Sequence, residues 1–383
     1  MKILKVFLFV AAVSVTAAVS ANAETAQSGK TPLKPLEAGV FAGVGPRSNG
    51  CVEWFRLVNA SPELKLTLLD ADDVRAGALA KLDLVIMPGG SSMAIKKDLA
   101  PEGVEKLKDF IRGGGGYIGT CAGCCLMMEE KEDVTRGISV MPYGRLGSKG
   151  QYMIPVAVNE RGAEALGIKA REYKIRYSRG PVLFPSKHKI EGASFEIWGT
   201  FASDFDCPNT TLRMNGYGAI VGGTYGKGRV FTIACHPESF PSTHVILQGA
   251  FRYVTGREIT FPPRRRAVRA LSVGFFSPVI CGKEVASTAV ALDNLVKVDL
   301  FPIAANEIDT GMLDHIDWLV LPDGDKSRYP GLIEKNSALL DAYVARGGKM
   351  IAWGAGAEHL PDGGVRCKDG AEVTRFLAAE ADK

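Results

Sequence analysis

The sequence predicts a doubly wound parallel α/β domain over residues 34–261 and a smaller, degenerate α/β repeat over 270–383. Three observations predict it. Short apolar runs alternate with amphipathic stretches of helical period, the pattern of βαβ units. The apolar runs end in glycine, as in Leu84–Met87 followed by Pro88-Gly89-Gly90, where a sheet-end loop needs backbone freedom. The tail also repeats the beginning. Residues 73–90 align without a gap against 307–324, with Gly77, Leu79, Asp83, Pro88 and Gly90 matching Gly311, Leu313, Asp317, Pro322 and Gly324. Residues 114–123 align against 347–356. A duplicated βα unit explains both matches.

The elements follow in order. A strand is expected at about 37–41. The loop Gly43-Val44-Gly45-Pro46-Arg47-Ser48-Asn49-Gly50 leads into a helix at about 51–59. Residues 65–69 read as the next strand, 79–82 as the close of a short helix, and 84–87 as a fully apolar strand. Val104, Leu107, Phe110 and Ile111 stand at helical spacing within 102–111. The glycine run 113–116 then opens the strand Tyr117-Ile118. Beyond residue 138 the pattern changes. Stretches 152–158, 173–177, 195–201 and 218–223 read as strands joined by turns, and Gly226-Lys227-Gly228 as a tight hairpin into 229–234. A helix at about 243–254 closes the unit. Residues 262–269, with Pro262-Pro263-Arg264-Arg265-Arg266, read as a linker whose arginines are solvated.

Composition bounds the function. The 383 residues are 46% hydrophobic, enough for two domains with substantial cores. A net charge of +4 gives no reason to expect a nucleic-acid partner. Residues 1–23 read as a signal peptide: Lys2 and Lys5, the apolar run 6–19, then Ala21-Asn22-Ala23. Residues 24–33 read as a disordered leader. No later apolar run is long enough to span a bilayer. The expectation is a protein exported by the general secretory route, periplasmic or secreted. Its eight cysteines are too sparse for a disulfide scaffold.

The chemistry centres on Gly119-Thr120-Cys121-Ala122-Gly123. This G-x-C-x-G follows a strand and opens a helix expected over about 122–130. It is a nucleophile elbow, a sharp turn that exposes one side chain at the carboxyl end of a sheet. A thiol at a helix N-terminus has its thiolate favoured by the dipole and free N–H groups. Far downstream, Cys235-His236-Pro237-Glu238 supplies a base and its orienter. Residues two apart on an extended segment point the same way, and Pro237 keeps that segment non-helical. Cys121 is therefore the candidate nucleophile, His236 the base and Glu238 the orienter. The backbone N–H groups of Ala122 and Gly90 are the candidate oxyanion donors. Arg47 and Arg179 are candidates for holding a substrate carboxylate.

The plainer readings stand beside these. Cys121 would otherwise be a small buried residue in a tight turn, and His236 a core histidine. His188, His244, His315 and His359 read as structural, and Cys235 as core. Cys121-Ala122-Gly123-Cys124 is also a C-x-x-C at a helix start, a redox geometry. No second thiol pair makes a metal site, and no Walker loop or dinucleotide fingerprint is present, so no metal and no cofactor are expected. In the repeated tail, Gly354 takes the nucleophile's place and no His-Pro-Glu follows it.

These motifs resemble the class I glutamine amidotransferase-like superfamily. Within it, residues 35–256 resemble the amino-terminal domain of biotin-protein ligases, through Met87-Pro88-Gly89-Gly90, the run Gly114–Gly123, Tyr177-Ser178-Arg179-Gly180-Pro181 and His236-Pro237-Glu238. The resemblance implies a flavodoxin-like α/β/α sandwich and a Cys-His-Glu triad. The chain departs from the glutaminases. No synthase or ligase domain is expected beside it, and Cys124-Cys125-Leu126-Met127-Met128 offers no glutamine-gripping polar group. The resulting expectation is a cysteine-dependent amide hydrolase acting on a small-molecule or peptide amide. The alternatives are a non-catalytic binding module that keeps the pocket, and a thiol-redox protein using Cys121 and Cys124. The sequence gives no oligomeric state.

Overall fold

A computed structural model describes residues 33–383 except 47–48, 131–135, 147–149, 208–209, 264–265, 269, 278–281, 305–306 and 309–310. The signal peptide expected over 1–23, all but the last residue of the leader, and Arg47 lie outside the described residues.

The chain opens with β1 (Leu36–Phe41), α1 (Asn49–Ala60), β2 (Leu64–Leu69), α2 (Ala71–Arg75), β3 (Leu84–Met87), α3 (Ser92–Gly113), β4 (Gly116–Thr120) and α4 (Ala122–Met127). It continues through β5 (Tyr143–Leu146), β6 (Gln151–Val158), α5 (Glu160–Leu166), β7 (Glu172–Ser178), β8 (Val182–Pro185) and β9 (Ala193–Phe201). Then come β10 (Phe205–Cys207), β11 (Thr210–Leu212), β12 (Gly218–Tyr225), β13 (Gly228–Ile233) and α6 (His244–Thr255). The main sheet runs β2-β1-β3-β4-β13-β12-β9-β6-β7, with β5 and β8 paired beside β12. The first five strands are parallel, and from β13 outward the pairing turns antiparallel. This is the expected doubly wound α/β architecture, extended along one side by hairpin-connected strands. Two apolar layers cover its faces, one built with α1, α5 and α6, the other with α2, α3 and α4.

Three local expectations change. The helix expected over 102–111 is the second part of a longer one, kinked where Ala100 takes φ 57° before Pro101. The Ser91 side chain caps its first turn, and Pro101 fits the start of the second segment. α4 ends at Met127 rather than near residue 130 because the returning chain takes its last carbonyls. The Ile138 N–H donates to Leu126 O at 2.8 Å, and Met141 N–H to Met127 O at 2.7 Å. Arg266 is not solvated: it pairs with Asp293 at 2.6 Å.

The tail forms a second sheet from β14 (Leu271–Phe276), β15 (Val298–Ile303), β16 (Trp318–Leu321), β17 (Lys349–Ala352) and β18 (Val365–Arg366), with α7 (Lys283–Asp293), α8 (Tyr329–Ala345) and α9 (Gly370–Ala381). Its order, β15-β14-β16-β17-β18, is all parallel and repeats β2-β1-β3-β4-β13. The likeness reaches single atoms. Asp83 Oδ2 accepts from Glu37 N–H, and Asp317 Oδ2 from Ser272 N–H, both at 2.8 Å. A Cβ on Gly123 would overlap Met87 O, and one on Gly356 would overlap Leu321 O.

Helix α1 lies between the two sheets and is buried on nearly every side. Its Val52 belongs to the apolar cluster of the second sheet, while Ala286 of α7 belongs to the cluster of the first. Asp293 receives Arg56 of α1 at 3.0 Å as well as Arg266.

Candidate active site

Three adjacent parallel strands deliver the predicted groups to one end of the main sheet. β3 leads to Gly90, β4 to Cys121, and β13, beside β4, to His236. Cys121 takes φ 51°, a left-handed state that strains any residue with a Cβ and here forces the sharp elbow. Its N–H donates to Ile233 O at 2.9 Å, pinning the turn to the end of β13. Gly119 and Gly123 are required on either side: a Cβ on the first would stand 2.7 Å from the Gly123 backbone.

His236 is 2% exposed and Glu238 1%. His236 Nδ1 donates to Glu238 Oε1 at 2.7 Å, which leaves Nε2 for a second partner. Cys121 and His236 follow the ends of the adjacent parallel strands β4 and β13. Burial pushes His236 down, but the charges of Glu238 and Cys121 and the hydrogen bond to Glu238 outweigh it and hold the imidazole well above its ordinary value. Glu238 Oε2 is buried with no hydrogen-bond partner among the described residues. The predicted Cys-His-Glu set is thus brought together.

Ala122 is the first residue of α4, so its N–H has no acceptor within the helix. Gly90 takes φ 146° just past β3, paired with Pro46 across an isolated bridge. Both predicted oxyanion donors stand at the carboxyl end of the sheet with the thiol. Arg179 is exposed and takes φ 54°. It follows Ser178, whose carbonyl accepts from Cys121 Sγ at 3.5 Å.

The other thiols differ. Cys124 is fully buried, and burial, with Cys125 beside it, pushes its thiol well above the ordinary range. Cys235 is likewise buried and pushed up. Cys51, Cys121, Cys124, Cys125, Cys235 and Cys367 carry no disulfide. Among the described residues no group of three His, Cys, Asp or Glu could hold a metal ion, and no helix is long and apolar enough to cross a membrane.

Sequence reading missed several neighbours. A Cβ on Gly50, in the first turn of α1, would overlap Glu238 Oε1 and stand 3.0 Å from His236 Nδ1. Arg176 O accepts the His236 N–H at 2.7 Å. Glu53, one turn along α1 from Gly50, is held up to about 7 by burial, against the lowering pull of Arg56. The loop ending in Gly50 was the one available signal, since a glycine inside a helix needs a packing reason.

Residues 78–250 match the family described as biotin-protein ligase, N terminal. The subunit PdxT of pyridoxal 5'-phosphate synthase from Niallia circulans is 32% identical over 105 residues, 25% of this chain and 55% of that protein. The PdxT of Natronomonas pharaonis is 36% identical over 59 residues, 15% of this chain and 31% of its own. These matches support a class I glutamine amidotransferase-like assignment for that stretch. The chain spans only about half, or less, of the curated relatives it matches. Among solved structures, a Thua-like protein from Bacteroides uniformis aligns with a TM-score of 0.46 and 11% identity, over 60% of this chain and 96% of that one.

The second sheet repeats the elbow without the thiol. Gly354 takes φ 54°, beside 51° for Cys121. A Cβ on Gly354 would overlap the Asp323 carboxylate, and Asp323 Oδ1 accepts the Ala355 N–H at 2.8 Å. Asp323 is the repeat's counterpart of Gly89. Its carboxylate thus fills the nucleophile's place and takes the N–H that corresponds to Ala122.

Proposed function

We propose that this protein is an exported cysteine-dependent amide hydrolase acting through a Cys121-His236-Glu238 triad. The observation that carries the reading is the buried His236–Glu238 hydrogen bond at 2.7 Å, set beside the Cys121 elbow at the ends of adjacent parallel strands. The Cys121 thiolate attacks the amide carbonyl carbon, and the carbonyl electrons move to oxygen. The N–H groups of Ala122 and Gly90 receive that oxyanion. As it collapses the C–N bond breaks, and His236 gives its proton to the leaving nitrogen. Water then attacks the thioester, His236 takes a proton from it, the C–S bond breaks and a carboxylic acid leaves. Glu238 holds the imidazole in the tautomer this needs.

Arg179 supports a substrate that carries a carboxylate near the scissile amide, such as a γ-glutamyl or peptide-type bond. It is an exposed cation one residue from the carbonyl that touches Cys121. Export rests on residues 1–23, read as a secretory signal peptide. The inert setting of Cys124 weighs against the thiol-redox alternative.

A panel of carboxylate-bearing amides, assayed for released amine, tests the reading. Turnover lost in both Cys121→Ala and His236→Ala supports it. Saturable binding that survives Cys121→Ala, with no turnover in the wild type, replaces it by a binding module; this rival draws on the small exposure of Cys121, 6%.

A further inference from the structure

Glu307 lies in the second half of the chain, after β15, yet both of its carboxylate oxygens reach toward the segment that carries His236. Oε2 accepts from Asn49 Nδ2 at 2.6 Å and from the Ala304 N–H at 2.8 Å. Asn49 is the first residue of α1, and the next residue, Gly50, lies against Glu238 and His236. Ser277, at the end of β14, holds the other end of the Asn49 amide. Glu307 Oε1 pairs with Arg176 at 3.5 Å. Arg176 in turn accepts the His236 N–H through its carbonyl and reaches Ser239 Oγ at 3.5 Å with its guanidinium. Two arms from one carboxylate thus end on the two flanks of residues 236–239.

We infer that Glu307 is a positioning residue for the site, and that the second half is retained to set the His236–Glu238 pair rather than to do chemistry. The inference deepens the hydrolase reading and rests on it for its functional meaning. The local geometry explains why a positioning residue is needed. The base and its orienter stand just past the end of β13, on a short turn outside the sheet ladder. α1 covers them with a glycine, which gives contact but no side-chain grip. Fixing Asn49 fixes that helix end, and fixing Arg176 fixes the strand on the opposite side. A fault of 1 Å at such a site is enough to lower a rate about 100-fold.

The test compares full-length wild type with Glu307→Ala and Glu307→Gln by two readouts. One is the downfield proton NMR signal of the His236 ring N–H bonded to Glu238, assigned by its loss in His236→Ala. The other is the rate of Cys121 alkylation, resolved by mass spectrometry. Glu307→Ala should shift or broaden the ring signal and slow alkylation about tenfold or more. Glu307→Gln, which keeps an acceptor for Asn49, should fall between. Asn59→Ala, which removes the Asn59–Asn294 contact between the same two halves, should leave both readouts unchanged. An unchanged ring signal and alkylation rate in Glu307→Ala would overturn the positioning role, as would an equal effect from Asn59→Ala. If the ring signal responds as expected while wild-type Cys121 is no more reactive than in His236→Ala, the positioning role stands and the hydrolase reading fails.

Discussion

Cys121 and Gly354 occupy the same turn of two copies of one βα unit, at φ 51° and 54°. In the first copy a thiol bears that strain, and in the second a glycine relieves it. Strain kept where a side chain is needed and dropped where it is not fits a functional elbow. Replacing Cys121 by Gly should therefore give a more stable protein than replacing it by Ala, by about 1 kcal/mol. Thermal denaturation of the two variants checks this, and an Ala variant at least as stable would mean that the turn stores no strain.

The second elbow should resist conversion. A side chain at Gly354 meets both the left-handed backbone and the Asp323 carboxylate. Gly354→Cys should lower stability by about 1–3 kcal/mol and yield no fast-reacting thiol at that position. Site-resolved alkylation with urea denaturation reads both effects.

Gly50 tests how closely α1 is packed on His236 and Glu238. In an open helix, Gly→Ala would stabilise by up to about 1 kcal/mol. Here the added Cβ overlaps Glu238. Gly50→Ala should destabilise and, if Cys121 is activated as proposed, should cut its reactivity about 100-fold by displacing Glu238. A stabilised, fully reactive variant would contradict the placement of α1.

Glu53 gives a pH signature. Burial holds its carboxyl up to about 7 against an ordinary 4.5. The folded state therefore binds the proton more tightly than the unfolded state. Stability from this group is complete below about pH 4.5 and is lost as pH rises toward 7. Glu53→Gln should flatten that slope and raise stability at pH 8 by about 1–3 kcal/mol. Denaturant titrations across pH 4–8 measure it. A Gln variant less stable at pH 8 would mean that the ion pair with Arg56 outweighs burial.

Asp293 ties the halves together by receiving Arg56 and Arg266 while 7% exposed. Asp293→Ala leaves a buried guanidinium without that partner and should cost about 3–5 kcal/mol. A midpoint shift in urea denaturation checks the size.

What the sequence made legible was what short-range backbone chemistry dictates. The elbow needs small residues beside Cys121, and His236-Pro237-Glu238 carries its own spacing, so both sites could be read from a few adjacent letters. The duplication was legible for the same reason: Asp83 and Asp317 cap equivalent backbone N–H groups and recur at equal spacing. The antiparallel side was read only in part. β5, β8 and α5 are short elements whose partners lie far along the chain, and α4 is ended by tertiary contacts rather than by a local stop signal. The surroundings of Cys121, His236 and Glu238 were least legible. Asn49 and Glu307 are 258 residues apart, and no local pattern marks a hydrogen bond of that reach. The role of Gly50 depends on which helix end comes to lie over His236, a matter of packing rather than of propensity.

The most direct test is site-resolved labelling of the protein with an electrophilic glutamine analogue at neutral pH, in wild type and His236→Ala. Cys51, Cys124, Cys125, Cys235 and Cys367 serve as internal controls within each sample. The account predicts selective modification of Cys121 that is lost without His236. Labelling of Cys121 no faster than that of the half-buried Cys367, or equal labelling in His236→Ala, would contradict an activated nucleophile at the elbow.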